Sequence, residues 1–312
     1  MFSVIIPTYN EERFIRRCLD SIRAQRVAPD QVEIVVVDNG STDQTLTICQ
    51  EYTDRILSHP ELRVGAMRNQ GAAKARGQVL AFIDADCIAD AGWLAAAEAS
   101  LAAGSCVTGD SYDIPSDPHW IERAWFAQEH RGRRATHLIP AGNMIVPREL
   151  FLRLGGFNEQ LLTGEDAEFC QRAAQIAPVI ADDTLRVVHL GNPKTLKKFV
   201  TREMWHGMGA LGSLRLNWND KPLFGTVLFL VLTLTQIAGL GLAIVGRGSS
   251  LFWFGTVGVG LLLAATVAYR LRAIRDWRAV PSLLLLYYVY YFGRSIALLM
   301  LLGGRDFRRR AK

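Results

Sequence analysis

The sequence predicts an α/β domain built on a mostly parallel sheet, followed by C-terminal transmembrane helices. Three observations carry that prediction. Apolar runs rich in β-formers alternate with helically spaced segments over the first part of the chain. Polar turn clusters close those runs at regular intervals. From Leu223 onward the charges vanish in two long stretches, Leu223 to Gly246 and Gly248 to Tyr269, each longer than the roughly 20 residues that cross a bilayer core.

The elements follow in order. "SVIIPTYN" reads as a strand ending in a turn at Pro7, and "EERFIRRCLDSIRAQ" then sets Phe14, Cys18, Leu19 and Ile22 on one helical face. "VEIVVVDNGSTD" repeats the design, with a helix from about Gln44. A helix through "RNQGAAKA" leads into a third strand, "ARGQVLAFIDAD". Strand and helix alternating at this spacing argue for a parallel sheet covered by helices, and near-continuous apolar strands agree, because parallel strands are buried on both faces.

Open sheets of this kind bind ligands outside the carboxyl ends of their strands. "PTYNEE", "DNGSTD" and "DADC" all fall there. Each cluster alone is ordinary turn chemistry, and Asp38 has a structural reading as good as a functional one. Asp84 and Asp86 are different in kind: two carboxylates one residue apart, directly after Val79–Ile83, repel each other unless something compensates. A hard divalent cation is one candidate, since Mg²⁺ uses one or two carboxylates plus substrate phosphates. A solvated pair capping a turn is the other.

The two uncharged stretches, 223–246 and 248–269, read as membrane helices. A third apolar segment, 279–304, contains Arg294, which should face protein or lie near the interface. The loop "RLRAIRDWR" carries four arginines against one aspartate and is expected on the cytoplasmic side. The tail 305–312 is also basic, so 279–304 is expected to be re-entrant or in the membrane plane. "MFSVIIPTYN" lacks a basic n-region, which leaves the first domain expected in the cytoplasm of a multi-pass inner-membrane protein. The net charge of +5 comes partly from these flanking arginines and suggests membrane lipids, not nucleic acid, as the partner. The five cysteines show no paired or metal-type spacing and read as reduced thiols.

In this order and spacing, "PTYNEE", "VDNGSTD", "MRNQGAAKARG", "FIDADC", "GNMIVPRELFLRLGGFNE" and "GEDAEF" resemble the family 2 glycosyltransferases of GT-A fold. The resemblance covers about residues 1–195, the expected catalytic domain. It implies a Rossmann-like GT-A architecture and a hexosyl transfer from a nucleotide-diphosphate sugar, with Mg²⁺ or Mn²⁺ as cofactor. Carried over, Asp86 would bind the metal directly, with Asp84 at the ribose or the metal shell. Pro7, Tyr9, Glu11 and Asp38 would line the nucleoside pocket, and Arg68 would lie near the donor's phosphates or sugar. Gly142, Asn143, Glu165 and Trp205 would stand on the acceptor side.

Asp166 would be the general base of an inverting reaction, taking the acceptor hydroxyl's proton. Thr163 to Asp166 also has the spacing of a capping box, so helix capping is a competing account. His189, after the strand-like "RVV", is either a structural hydrogen-bonding group or a further metal ligand. From Lys194 to Trp218, cations interleave with Phe199, Met204, Trp205 and Leu211, as in a helix on a membrane surface; residues 196–222 are expected to form that interfacial segment. "REMWHG" lacks the Q-x-x-R-W signature of processive relatives, which argues for a non-processive enzyme. The acceptor is then expected to be lipid-linked or a glycan. The alternatives are a polyprenyl-phosphate sugar synthase and, from another class, a membrane scaffold with a decayed transferase domain.

Overall fold

The computed structural model describes residues 1–104, 106–128, 131–214, 221–274 and 276–303. The chain divides into two compact units, Met1–Asp117 with His130–Asn192, and Pro118–Glu129 with Pro193–Lys312. The basic tail 305–312, Arg215 and Trp218 lie outside the described residues, as does Arg275 of the arginine loop.

In the first unit the chain runs β1 (Phe2–Thr8), α1 (Ile15–Arg23), β2 (Val32–Asp38), α2 (Thr45–Gln50), β3 (Ile56–Ser58), α3 (Val64–Lys74) and β4 (Val79–Ile83). It continues through β5 (Cys87–Ala89), α4 (Trp93–Ala102), β6 (Val107–Gly109), β7 (Arg134–Ala135), β8 (Asn143–Pro147), α5 (Arg148–Arg153), α6 (Glu165–Ala173), β9 (Val179–Ala181) and β10 (Val187–His189). The main sheet has the order β3-β2-β1-β4-β8-β6-β9-β7, and β5 pairs with β10 in a separate ribbon. β1 is parallel to β2 and to β4, while β8 runs antiparallel to both β4 and β6. The sheet is therefore mostly parallel, as the apolar strands imply, with β6 pointing the same way as β4.

Alternate residues of each strand feed two helical layers, because successive side chains point to opposite faces. Val4, Ile6, Val36 and Ile83 pack with Ile15, Cys18, Leu19, Ile22 and Trp93, whereas Ile5, Val35 and Phe82 pack with Phe151, Phe157 and Phe169. The buried face of α1 is Ile15, Cys18, Leu19 and Ile22, at helical spacing, and Phe14 stands at the N-cap only half-buried. In the second layer Phe82, Phe151, Phe157 and Phe169 touch ring to ring with centroids 5.1–5.3 Å apart. Burying each side chain contributes about 1.5–3 kcal/mol. Gly71 lets α3 lie close on the sheet: a Cβ there would stand 2.5 Å from Ile5 Cγ2.

The second unit holds α7 (Leu196–Leu214), α8 (Lys221–Ile244), α9 (Ser250–Ile274) and α10 (Val280–Leu302). Among the described residues, Pro222–Ile244, Ser250–Arg272 and Trp277–Leu302 are long and apolar enough to cross a membrane. Arg294 of α10 faces protein: its Nε stands 3.3 Å from Glu203 Oε2 of α7, and its guanidinium lies 4.5 Å from the Tyr290 ring centre. α10 is unbroken and so lacks the turn that a re-entrant segment requires. A π-helical turn, Glu122–Phe126, lies in the segment Pro118–Glu129 of this unit, although the chain before and after that segment belongs to the first. Trp125 packs edge-on against Phe199 and Tyr287, and Arg270 donates to the carbonyls of Trp125 and Ala127.

Candidate active site

The carboxyl ends of β1, β2, β4 and β6 share one edge of the sheet, and the predicted clusters gather there. Asn10 takes a left-handed backbone (φ 54°), which turns the "PTYNEE" loop back on the "DNGSTD" loop. Asn10 N–H donates to Ser41 Oγ, Thr42 N–H donates to Asn10 Oδ1, and Glu11 N–H donates to Thr45 Oγ1. Tyr9 remains 49% exposed at this edge, whereas Pro7 is buried within β1.

Asp38 has no exposed surface; Gly40 N–H and Ser41 N–H donate to its Oδ2 at 2.8 and 3.0 Å. Its carboxylate is consumed by its own turn.

Asp84 and Asp86 solve their repulsion by pointing at different partners. Asp84 Oδ1 accepts from Arg68 Nη2 at 2.6 Å and Oδ2 from the Tyr112 hydroxyl at 3.2 Å. Asp86 Oδ2 stands 3.5 Å from His189 Nε2. Register places that histidine: β10 runs antiparallel to β5 with His189 opposite Cys87, and Leu190 N–H donates to the Asp86 carbonyl. The His189 Nδ1 is buried without a hydrogen-bond partner. Both carboxylates lie over bare glycine backbone. A Cβ on Gly142 would stand 2.1 Å from Asp84 Oδ2, and one on Gly191 would stand 1.9 Å from Asp86 Oδ2.

The local charge remains negative. Burial and the nearby Asp86, Asp84 and Asp43 push the Glu11 carboxyl up to about 7. Burial also raises Asp86, with His189 pulling the other way and Asp84 adding to the rise. An Asp86–His189 pair beside an under-neutralised acidic group, over a glycine that keeps the space open, fits a divalent cation. Cys87 lies close enough to count among the grouped donors, but its side chain is buried in the core and burial holds its thiol well above the ordinary range.

Asp166 sits in the first turn of α6. Burial first, then Glu165, raises its carboxyl from 3.8 to about 6, against the opposing pull of the Ala167 N–H, Arg68 and the Ala141 N–H. The capping box does not form. The N-cap is Gly164 in a left-handed conformation (φ 81°), with no side-chain cap bond. Asp166 Oδ1 instead accepts from Ala167 N–H, and Ala141 N–H approaches its Oδ2 at 3.4 Å.

Three of the expected site residues are held by protein partners. Arg68 is 4% exposed and bonds Asp84 through Nη2 and Glu165 through Nη1, while its Nε is buried without a hydrogen-bond partner. Asn143 is fully buried and holds the fold: Trp93 Nε1–H donates to its Oδ1, and its Nδ2 donates to the carbonyls of Asp110 and Leu185. Glu165 faces Arg68 instead of an acceptor. Gly142 stays at the edge, its N–H donating to the Tyr112 hydroxyl at 3.1 Å, while Trp205 lies on α7 in the second unit.

Tyr112 was not anticipated. The signal was present in "GDSYD", a polar cluster that follows β6 as the others follow their strands. β6 is short and reads poorly as a strand, so the cluster does not stand out.

The likeness to known proteins agrees with this geometry. The chain is 29% identical to the glycosyltransferase AglE of Haloferax volcanii over 184 residues, covering 55% of this chain and 60% of the relative. It is 36% identical to validoxylamine A glucosyltransferase of Streptomyces hygroscopicus subsp. limoneus over 129 residues, covering 38% and 28%. Among solved structures, the mannosyltransferase PcManGT of Pyrobaculum calidifontis, in complex with GDP-Man and Mn²⁺, superposes with a TM-score of 0.61 at 19% identity, covering 98% of this chain and 88% of that one. S. aureus TarS gives 0.51 at 20% identity, covering 74% and 48%. At such identities the likeness is one of fold, and it bears out the expected GT-A architecture. Glycosyl transferase family 2 matches residues 3–158, half the chain and nearly the whole run of strands that builds this edge, so the chain belongs to that family.

Proposed function

We propose that the protein is an inverting, metal-dependent glycosyltransferase that moves a sugar from a nucleotide-sugar to a lipid-linked or glycan hydroxyl at the cytoplasmic face of the membrane. One observation carries the reading: a single sheet edge holds an under-neutralised acidic group and, separately, a half-buried carboxylate poised near neutrality. Asp86 and His189 would hold Mg²⁺ or Mn²⁺, which when bound neutralises the leaving diphosphate. Tyr9, exposed in the first loop, offers a ring for the nucleobase, with Pro7, Glu11 and the Asp38 turn framing it. Relatives of this fold solved with GDP-Man and Mn²⁺, or with UDP-GlcNAc, support a nucleotide-sugar donor.

In the displacement itself, the acceptor oxygen attacks the anomeric carbon, Asp166 receives that oxygen's proton, and the nucleoside diphosphate leaves with the bonding pair. A carboxyl raised to about 6 is matched to this task, because a base works best with a pKa near the operating pH. An acceptor that is already an ionised phosphate needs no such base, so Asp166 favours a hydroxyl acceptor over a polyprenyl phosphate. A decayed scaffold would have no reason to keep Asp86, His189 and Asp166 in this arrangement.

The domain assignment belongs to the same proposal: residues 1–195 catalytic, 196–222 interfacial, two crossings after that, and 279–304 in the membrane plane. Nucleoside diphosphate release from UDP-GlcNAc and GDP-mannose with added Mn²⁺ tests the chemistry, and the reading fails if neither is consumed by the wild type. Cysteine labelling in intact cells tests the topology. Ser249→Cys should react from outside and Trp277→Cys should not; outside labelling at 277 would overturn the orientation.

A further inference from the structure

The proposed chemistry leaves Arg68 without a task, yet it is the cation buried at the centre of the site. It projects from α3, and its Nη2 and Nη1 bond Asp84 Oδ1 at 2.6 Å and Glu165 Oε1 at 2.7 Å. One partner lies at the end of β4 and the other is the first residue of α6, 97 positions along the chain. Buried ion pairs add little net stability, because desolvation offsets their attraction. What a forked, planar guanidinium supplies is geometry.

α6 needs that geometry from elsewhere. Its N-cap is a glycine with no side-chain bond, and the loop before it passes through left-handed backbone at Gly155, Gly156 and Gly164 (φ 78°, 73° and 81°). Asp166 does little to hold itself, bonding its own next N–H and, at 3.4 Å, that of Ala141. We infer that Arg68 is a positioning residue: by clamping Asp84 and Glu165 together, it registers the helix start that bears Asp166 against the strand end that bears the donor-side carboxylates. Tyr112 extends the clamp, its hydroxyl joining Asp84 Oδ2 to Gly142 N–H. The inference rests on Asp166 being the base.

The test uses the full-length protein in detergent with Mn²⁺, reading nucleoside diphosphate release from UDP-GlcNAc or GDP-mannose against pH, with water standing in for the acceptor hydroxyl. The charged and titratable groups acting on Asp166 are Glu165, Arg68, the Tyr112 hydroxyl and the Cys170 thiol. Glu165→Gln keeps an acceptor for Arg68 but weakens the clamp. It should lower kcat by about 10²-fold, the cost of misplacing a reacting group by roughly an ångström, while KM for the donor and the melting temperature stay near wild type. Its acidic limb should move to lower pH, because the charge that pushed Asp166 up is gone. Arg68→Gln should move the limb to higher pH, because the charge that pulled Asp166 down is gone, and Arg68→Lys should recover the limb without recovering the rate. The limb shifts follow from the charges alone, so kcat decides: a purely structural bridge predicts a lower melting temperature in all three with wild-type kcat in the folded fraction, and that result overturns the inference. Should Arg68→Gln not fold, Glu165→Gln decides alone, since Arg68 there keeps its bond to Asp84. Asp166→Asn run alongside separates the failures: if it keeps the wild-type limb and kcat, the base assignment falls, whatever Arg68 does.

Discussion

Asp38 ends β2 and Asp86 follows the end of β4 by three residues, on the two strands that flank β1, yet they are in opposite situations. The Asp38 carboxylate is satisfied by N–H groups two and three residues ahead of it. The Asp86 carboxylate meets a histidine about a hundred positions away at 3.5 Å and is held above the usual carboxylate range by burial. Residue type and strand-end position do not separate these two acids. The distance along the chain to their partners does: an acid satisfied locally maintains a turn, and one left to distant groups is available to a ligand.

The sharpest way to break that comparison is to remove both acids in turn. Asp86→Ala should abolish Mn²⁺-dependent binding of UDP or GDP in calorimetry while the protein melts near its wild-type temperature. Asp38→Ala should do the reverse, losing about 1–3 kcal/mol of stability as two half-buried N–H groups lose their acceptor, with binding retained in the folded fraction. Equal loss of binding in both would erase the distinction.

Asp166→Asn comes next. It keeps the shape of the side chain, so donor affinity should hold while turnover falls by ~10²–10⁴. Wild-type turnover should rise with pH through about 6 as Asp166 loses its proton, and the variant should lack that limb. The same shift affects stability. Folded Asp166 holds its proton where the unfolded chain has released it, so stability declines as pH rises from 3.8 to about 6 and levels off above.

Smaller effects sharpen the picture around the pair. Gly191→Ala would place a Cβ 1.9 Å from Asp86 Oδ2 and force that carboxylate to turn. Mn²⁺ affinity should drop by about 10–100-fold, as when a metal ligand loses its orientation, with little change in melting. Asn143→Ala should leave the kinetics of the folded protein intact and cost about 1–3 kcal/mol by orphaning Trp93 Nε1–H and two carbonyls.

The first unit's sheet was legible because its parallel strands are buried on both faces and therefore read as unbroken apolar runs. The site was legible where chemistry is written in adjacent residues, as in Asp84 with Asp86. It was not legible where the third dimension chooses partners. Nothing in the spacing of Arg68, Asp84 and Glu165 says that one guanidinium serves both acids, and the resemblance alone sends Arg68 to the donor phosphates. Thr163 has the right offset for a cap, but Gly164 in a left-handed turn starts the helix and leaves the hydroxyl with no role there. Asn143 shares a motif with acceptor-side residues and nevertheless faces inward, a matter of which side of β8 the pleat presents.

The turn at Glu122–Phe126 bears on how this enzyme is to be handled in water. Hydropathy alone suggests that a soluble catalytic fragment is obtained by stopping the chain before Leu223, or even after Asn192. Either cut keeps the strand-end edge of the sheet but deletes Tyr287 and Arg270, and the shorter one deletes Phe199 as well, so Trp125 loses rings it packs on and the carbonyls of Trp125 and Ala127 lose their donor. The fragment would carry a bared aromatic loop between β6 and β7, the kind of contiguous apolar patch that drives aggregation. Solubility would instead have to be sought by replacing Trp125 and Phe126 together with the cut, or by keeping the helices and the lipid around them.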